Sequence, residues 1–489
     1  MLVALLVLLS FCNTVIAASP ASEEANLHIA TKLSAAEFQS KYDEARMLSL
    51  AANTCAGTYV NDGKAPEYTY LGEYGWEITP YVVDRGKVEA TFMTAKNTET
   101  KGKKKIGIIA FRGSKSKKDW AINFTTNKVE FGGTNLKEFQ EFAEKKDVEK
   151  TIPQVHKGFN EYVMTAFSLQ EDFAGANIKE NIAKTLMDNP NFTLLITGHS
   201  LGGAAATLMA ERLVAMGIPK EQVPVVTFGA PAIGNRAFVE QYEDKINLTR
   251  VVNSLDPVPG SLQSFFSGYK QFETVKTLKV SAQDVAFQHP ISLYFDLAMK
   301  NFYDVTDEGV AAGYLKASPS EIRTGKEPLV AIFVAESKKN INSIFAPYIR
   351  RFVLNEYKNM LPSYVVIDKK NDTHRFDSHK PDGHKSDRQN AEYYNFQEVI
   401  SEAKSAGAEY VIILETEMKR MGQTDTWFST LNQGVFKAAT GRLVTMNATA
   451  TRVTVDQGAM QSIVKDMEEC RDVLKDNLDF LKIAKPLVW

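Results

Sequence analysis

The segment Gly198-His199-Ser200-Leu201-Gly202 sets a serine midway between two glycines. A serine hydroxyl attacks a carbonyl carbon only when a base takes its proton and donors receive the charge on the carbonyl oxygen. G-x-S-x-G has chemical meaning at the end of a buried strand that turns tightly into a helix, where bare glycines let the chain bend and the hydroxyl rises above the sheet. That context is present. Phe192-Thr-Leu-Leu-Ile-Thr197 is a continuous apolar run of strand length, and Leu201 to Met216, rich in Ala and Leu, reads as a helix. Ser200 then stands at a helix N-terminus, whose free N–H groups favour negative charge.

The base is sought among seven histidines. In this type of fold the order is serine, acid, histidine. His28 and His156 precede Ser200, and His199 adjoins it with a side chain expected to point the wrong way. His374, His379 and His384 fall in a distant polar tract, which leaves His289, just before an apolar helix. The acid must lie between Ser200 and His289. Asp256 sits in the loop after the apolar run Leu248-Thr-Arg-Val-Val252, where a carboxylate can accept from the far imidazole nitrogen and fix its tautomer. The donors for the oxyanion are expected from the backbone N–H of Leu201 and from Ser114, in the loop after the strand Ile106–Phe111. This chemistry calls for no metal or cofactor.

These residues need a frame. Continuous apolar runs at Ile106–Phe111, Phe192–Thr197, Val223–Phe228 and Leu248–Val252 suit a mostly parallel sheet buried on both faces. With the intervening helix they predict an α/β fold. An amphipathic helix is predicted over Leu33–Ala51. Across 489 residues, more than one ordinary domain is expected. With 57 Lys and Arg against 59 Asp and Glu, the chain lacks the basic excess of a nucleic-acid binder.

Phe111-Arg-Gly-Ser114 with Asp119-Trp120, Val155-His-Lys-Gly-Phe159, Gly198-His-Ser-Leu-Gly-Gly203, Phe228-Gly-Ala-Pro231, Asp256-Pro-Val-Pro259 and His289 with Tyr294-Phe295 occur in order. Over about residues 35–300 the chain thereby resembles the class 3 lipases, the α/β-hydrolase family of the fungal triacylglycerol lipases. The resemblance implies a triad of Ser200, Asp256 and His289, an oxyanion hole at Ser114 and Leu201, and a nucleophile elbow at Gly198, His199 and Gly202. It also implies a lid after the oxyanion loop, where Trp120 and Ile122 would meet lipid at a membrane or micelle surface. Lys115, Lys117 and Lys118 make that segment more polar than a greasy lid, so a solvated basic loop is equally open. The implied substrate is a lipid ester: triacylglycerol, monoacylglycerol or phospholipid. A polar non-lipid ester and an inactive interaction protein are the alternatives.

Leu2–Ala18 reads as a secretory signal peptide, short for a membrane span and lacking a basic n-region, with an uncleaved anchor as the alternative. Secretion or a periplasmic location is expected. After its removal Cys55 and Cys470 remain, to pair or to stay as separate buried thiols. The expected division is a leader at 1–18, the hydrolase domain at 19–303, a polar linker at 304–327 and a second, smaller α/β domain at 328–489. Leu329–Val334, Tyr364–Asp368, Gly407–Leu414 and Phe436–Leu443 resemble the TolB amino-terminal and CsgG-like envelope domains. That resemblance implies an interaction module with an envelope protein partner. Within it Asp372-Thr-His374, Asp377-Ser-His379 and Asp382-Gly-His384 repeat every five residues, a period that does not stack side chains on one helix face. A solvated insertion is the main reading; a divalent-metal tract of His374, His379 and His384 is the other.

Overall fold

The computed structural model describes residues 33–59, 76–84, 89–97, 105–114, 127–167, 170–171, 180–265, 268–280, 289–336, 344–368, 396–420, 427–450 and 458–481. The leader, the lid residues Trp120 and Ile122 with their neighbouring lysines, and His374, His379 and His384 lie outside these residues. No helix among the described residues is long and apolar enough to cross a membrane.

The first described helix, α1 (Ala35–Gly57), starts on a capping box. Ser34 Oγ accepts from Glu37 N–H at 3.2 Å, and the Glu37 carboxylate accepts from Ser34 N–H at 2.7 Å. Strands β1 (Trp76–Asp84), β2 (Glu89–Asn97) and β3 (Lys105–Phe111) form an antiparallel meander. Next come β4 (Phe192–His199), helix α2 (Leu201–Ala215), β5 (Val225–Phe228), β6 (Leu248–Asn253) and β7 (Lys276–Leu278). The sheet order is β1-β2-β3-β4-β5-β6-β7, parallel from β3 onward. It is the mostly parallel sheet expected for an α/β-hydrolase.

Both faces of that sheet are covered, which is why its central strands are apolar without alternation. Ile108 and Ala110 of β3 pack in one core with α1 and with helix α3 (Ile291–Ala312). Ile109 and Phe111 pack in the other core with α2.

The second sheet collects β8 (Glu321–Ile322), β9 (Val330–Glu336), β10 (Tyr364–Val366), β11 (Tyr410–Arg420), β12 (Trp427–Lys437) and β13 (Leu443–Ala450). Their order is β8-β10-β9-β11-β12-β13. Helices α4 (Ala346–Met360), α5 (Phe396–Ser405) and α6 (Ala459–Asn477) complete this half. Val330, Ile332 and Val334 share a core with α3, α4 and α6, while Ala331 and Phe333 pack with α5.

The expected linker at 304–327 is corrected at its start alone. Residues 304–312 are the last turns of α3, with Val305 and Gly309 buried, and the helix closes on left-handed Gly313. Their charges are partnered rather than loose: Asp304 accepts from Tyr348 Oη and Asp307 from Arg351, each at 2.6 Å, and Glu308 pairs with Lys41. Composition alone reads such a helix as a polar spacer. A polar tie between the halves lies near the start of α3. The Asp296 carboxylate, 1% exposed, accepts the N–H groups of Ala459 and Met460 at 2.8 Å each, an anion on the N-terminus of α6. Cys55 and Cys470 are both free and buried. Burial pushes each thiol up to about 12.

Candidate active site

Strand β4 delivers the chain to Ser200, and α2 begins on the next residue. Serine at a helix N-cap ordinarily bonds the first-turn N–H groups. Ser200 makes no such bond. Its backbone sits at φ 57°, ψ −126°, a positive-φ conformation unusual for a residue with a side chain. That strain, of order 1–3 kcal/mol, turns the hydroxyl away from the helix. The turn depends on bare glycines. A Cβ on Gly198 would stand 2.1 Å from the Gly202 carbonyl oxygen, and one on Gly202 2.1 Å from that of Phe111.

The structure brings Ser200, His289 and Asp256 together from three separate elements. His289 Nε2 is 2.9 Å from Ser200 Oγ, and His289 Nδ1 is 2.8 Å from Asp256 Oδ2. His289 lies two residues ahead of α3, and Asp256 lies three beyond β6. The Asp256 side chain is fully buried and is held from every side. Val258 N–H donates to Oδ1 at 2.9 Å, and Tyr294 Oη donates to Oδ2 at 2.6 Å. Tyr294 in turn accepts from Asn253 N–H at 3.1 Å. Burial, and then the carboxylate itself, raise the Tyr294 pKa well above the usual tyrosine range, so it remains a donor.

Pairing of Phe111 with Gly198 in the sheet register sets the end of β3 beside the nucleophile turn. Arg112-Gly113-Ser114 then passes next to Ser200: a Cβ on Gly113 would come within 3.0 Å of Ser200 Cβ. The loop is fixed at its base. Arg112 N–H donates to Thr91 O at 3.0 Å, and Tyr162 Oη lies 3.0 Å from Arg112 O. Leu201 adjoins the serine in the chain, and the loop that carries Ser114 passes beside it at Gly113.

Three features were not read from sequence. His199 does not point out of the site. It leaves Ser200 alone but turns its ring toward His289, with centroids 4.7 Å apart and Nε2 2.7 Å from the His289 carbonyl oxygen. Strand alternation correctly sends it away from the nucleophile, yet the chain bearing His289 crosses on that side. Tyr294 was legible only as part of the His289 motif, five residues on. Gly229 has φ +58°, and a Cβ there would meet Asp256 Oδ2 at 2.7 Å and His289 Cε1 at 3.2 Å. The motif Phe228-Gly-Ala-Pro231 was its signal. His156, set aside as a base, is buried and caps the helix Lys157–Ala166 through Nδ1.

Residues 108–265 match the family model described as lipase (class 3). A lipase of Caenorhabditis elegans is 31% identical over 31% of this chain and 36% of its own. A secreted mono- and diacylglycerol lipase of Fusarium solani is 31% identical over 33% of this chain and 41% of its own. A phospholipase A1 of Oryza sativa is 30% identical over 32% of this chain and 39% of its own. The chain spans between 33% and 54% of the length of the curated relatives it matches.

Proposed function

From a chain whose residues 108–265 match the class 3 lipase model, we propose a secreted serine hydrolase that cleaves carboxylic ester bonds of acylglycerols or phospholipids. The observation that carries this reading is the line Ser200 Oγ, His289 Nε2, His289 Nδ1, Asp256 Oδ2, with separations of 2.9 and 2.8 Å. Ser200 attacks the ester carbonyl while its proton passes to His289 Nε2. Asp256 orients the ring and stabilises the imidazolium. The oxygen of the tetrahedral intermediate takes hydrogen bonds from Ser114 and Leu201. Collapse breaks the bond to the alcohol oxygen, which leaves with the proton from His289. Water then attacks the acyl-enzyme, gives its proton to His289, and the fatty acid departs as Ser200 recovers its hydrogen.

The substrate class is supported by what the relatives' names have in common: mono- and diacylglycerols and phospholipids all present fatty-acyl esters of glycerol. Secretion is supported by the apolar leader at residues 2–18 and by the Fusarium protein's name. For the second domain, the sequence resemblance to envelope modules supports docking to an envelope protein partner.

A lipid-class panel read by product mass tests the reading. Wild type is expected to release free fatty acid from at least one acylglycerol or phospholipid, and Ser200→Ala from none. Hydrolysis confined to short polar esters would replace the lipid substrate with a non-lipid one. No hydrolysis of any ester would leave an inactive interaction protein.

A further inference from the structure

Tyr59 follows the end of α1, outside the triad and far in sequence from the nucleophile turn. Its hydroxyl lies 2.5 Å from His199 Nδ1 and receives the Gly113 N–H at 3.1 Å. His199 Nε2 lies 2.7 Å from the backbone oxygen of His289. One arrangement of hydrogens satisfies all three contacts. The His289 carbonyl can only accept, so His199 Nε2 carries a hydrogen and donates it. Burial, and then repulsion from His289, hold the His199 imidazole well below the usual histidine range, so the ring is neutral and Nδ1 is bare. Tyr59 therefore donates to Nδ1. Burial pushes its own pKa up, which keeps that hydrogen in place.

The line of bonds runs from the loop that carries Ser114, through Tyr59 and His199, to the backbone of His289. We propose that Tyr59 is a positioning residue that, acting through His199, fixes the oxyanion loop and the catalytic histidine relative to each other. This rests on the reaction proposed above. There is no slack in the arrangement: a Cβ on Gly113 would lie 2.3 Å from Tyr59 Oη and 2.6 Å from His199 O. The two groups it joins act in the same step, since the oxyanion forms as the proton reaches His289. Tyr59 is tied to the groups of the chemical step through His199 and the Gly113 N–H, so its contribution falls on kcat.

Tyr59→Phe keeps the ring and removes the hydroxyl. Expected is a fall of ~10- to 100-fold in kcat and in the rate of Ser200 labelling by a fluorophosphonate, with KM within about twofold. Adding Tyr59→Phe to His199→Leu should bring no further loss, because the hydroxyl acts through His199. Losses that multiply, a raised KM, or an unchanged labelling rate overturn the proposal. Where these variants do not fold, the wild-type chain carrying 15N-histidine decides. His199 observed neutral and protonated at Nε2 from pH 5 to 8 supports the line of bonds; the Nδ1–H tautomer overturns it. Labelling does not depend on the natural ester. A wild type that labels at Ser200 but frees no fatty acid from any lipid removes the lipid assignment and leaves Tyr59 standing. A wild type that does not label removes the reaction, and the tautomer still decides the bonds.

Discussion

Two buried aspartates sit near the start of α3 and do opposite things. Asp256 accepts from a backbone N–H, a tyrosine hydroxyl and an imidazole whose other nitrogen faces Ser200. Asp296 accepts from two backbone N–H groups at the start of α6. The first has a partner that can gain a proton, so its charge is available to a reaction. The second bonds a helix end that cannot change state, so its charge fastens the two halves of the chain. Burial alone does not mark a candidate catalytic carboxylate; the identity of the donors does. Glu211 on α2 completes the series: it is 1% exposed, and neither oxygen has a hydrogen-bond partner among the described residues.

The same isosteric substitution should break the two aspartates differently. Asp256→Asn sets an amide NH2 against His289 Nδ1, forces the hydrogen onto Nε2 and leaves Ser200 without a base. Activity is expected to fall by ~10⁴-fold, with thermal stability nearly unchanged. Asp296→Asn removes the charge at the α6 N-terminus and turns one donor toward a donor. Stability is expected to fall by ~1–3 kcal/mol, with kcat within a few-fold for the folded fraction. Calorimetry beside ester hydrolysis reads both. An active Asp256→Asn, or an Asp296→Asn that loses activity without stability, would erase the distinction.

Glu211 sharpens the comparison by a smaller effect. Burial pushes its carboxyl well above the usual range, against the pull of Lys245, and Tyr242 also faces it. The folded chain therefore holds a proton that the unfolded chain releases near its ordinary pKa of about 4.3. That stabilising term is whole below about pH 4 and is lost as pH rises toward the raised folded value. Glu211→Gln should melt with wild type at pH 4 and above it at pH 7, by ~2–4 °C for each kcal/mol recovered. A difference independent of pH would contradict this.

Much of the candidate site is legible in the sequence. Ser200 follows from a motif in a strand-to-helix context, and His289 and Asp256 follow from chain order and from where a strand ends. Each is a local signal. Tyr59 has none, because its partners His199 and Gly113 are 140 and 54 positions away. Strand β1 is hard to read from sequence because Pro80 and its polar neighbours obscure a strand pattern; as an edge strand it tolerates the proline. The end of α3 was misread as a linker because charges that pair across to α1 and α4 look, in one dimension, like solvated spacer.

In the proposed reaction Ser200, activated by His289, is the nucleophile. Fluorophosphonate treatment of the full chain, followed by mass mapping of the adduct, tests it most directly. One adduct on the peptide containing Ser200, absent from Ser200→Ala, is the predicted result. No adduct, an adduct on another residue, or equal labelling of Ser200→Ala would contradict it.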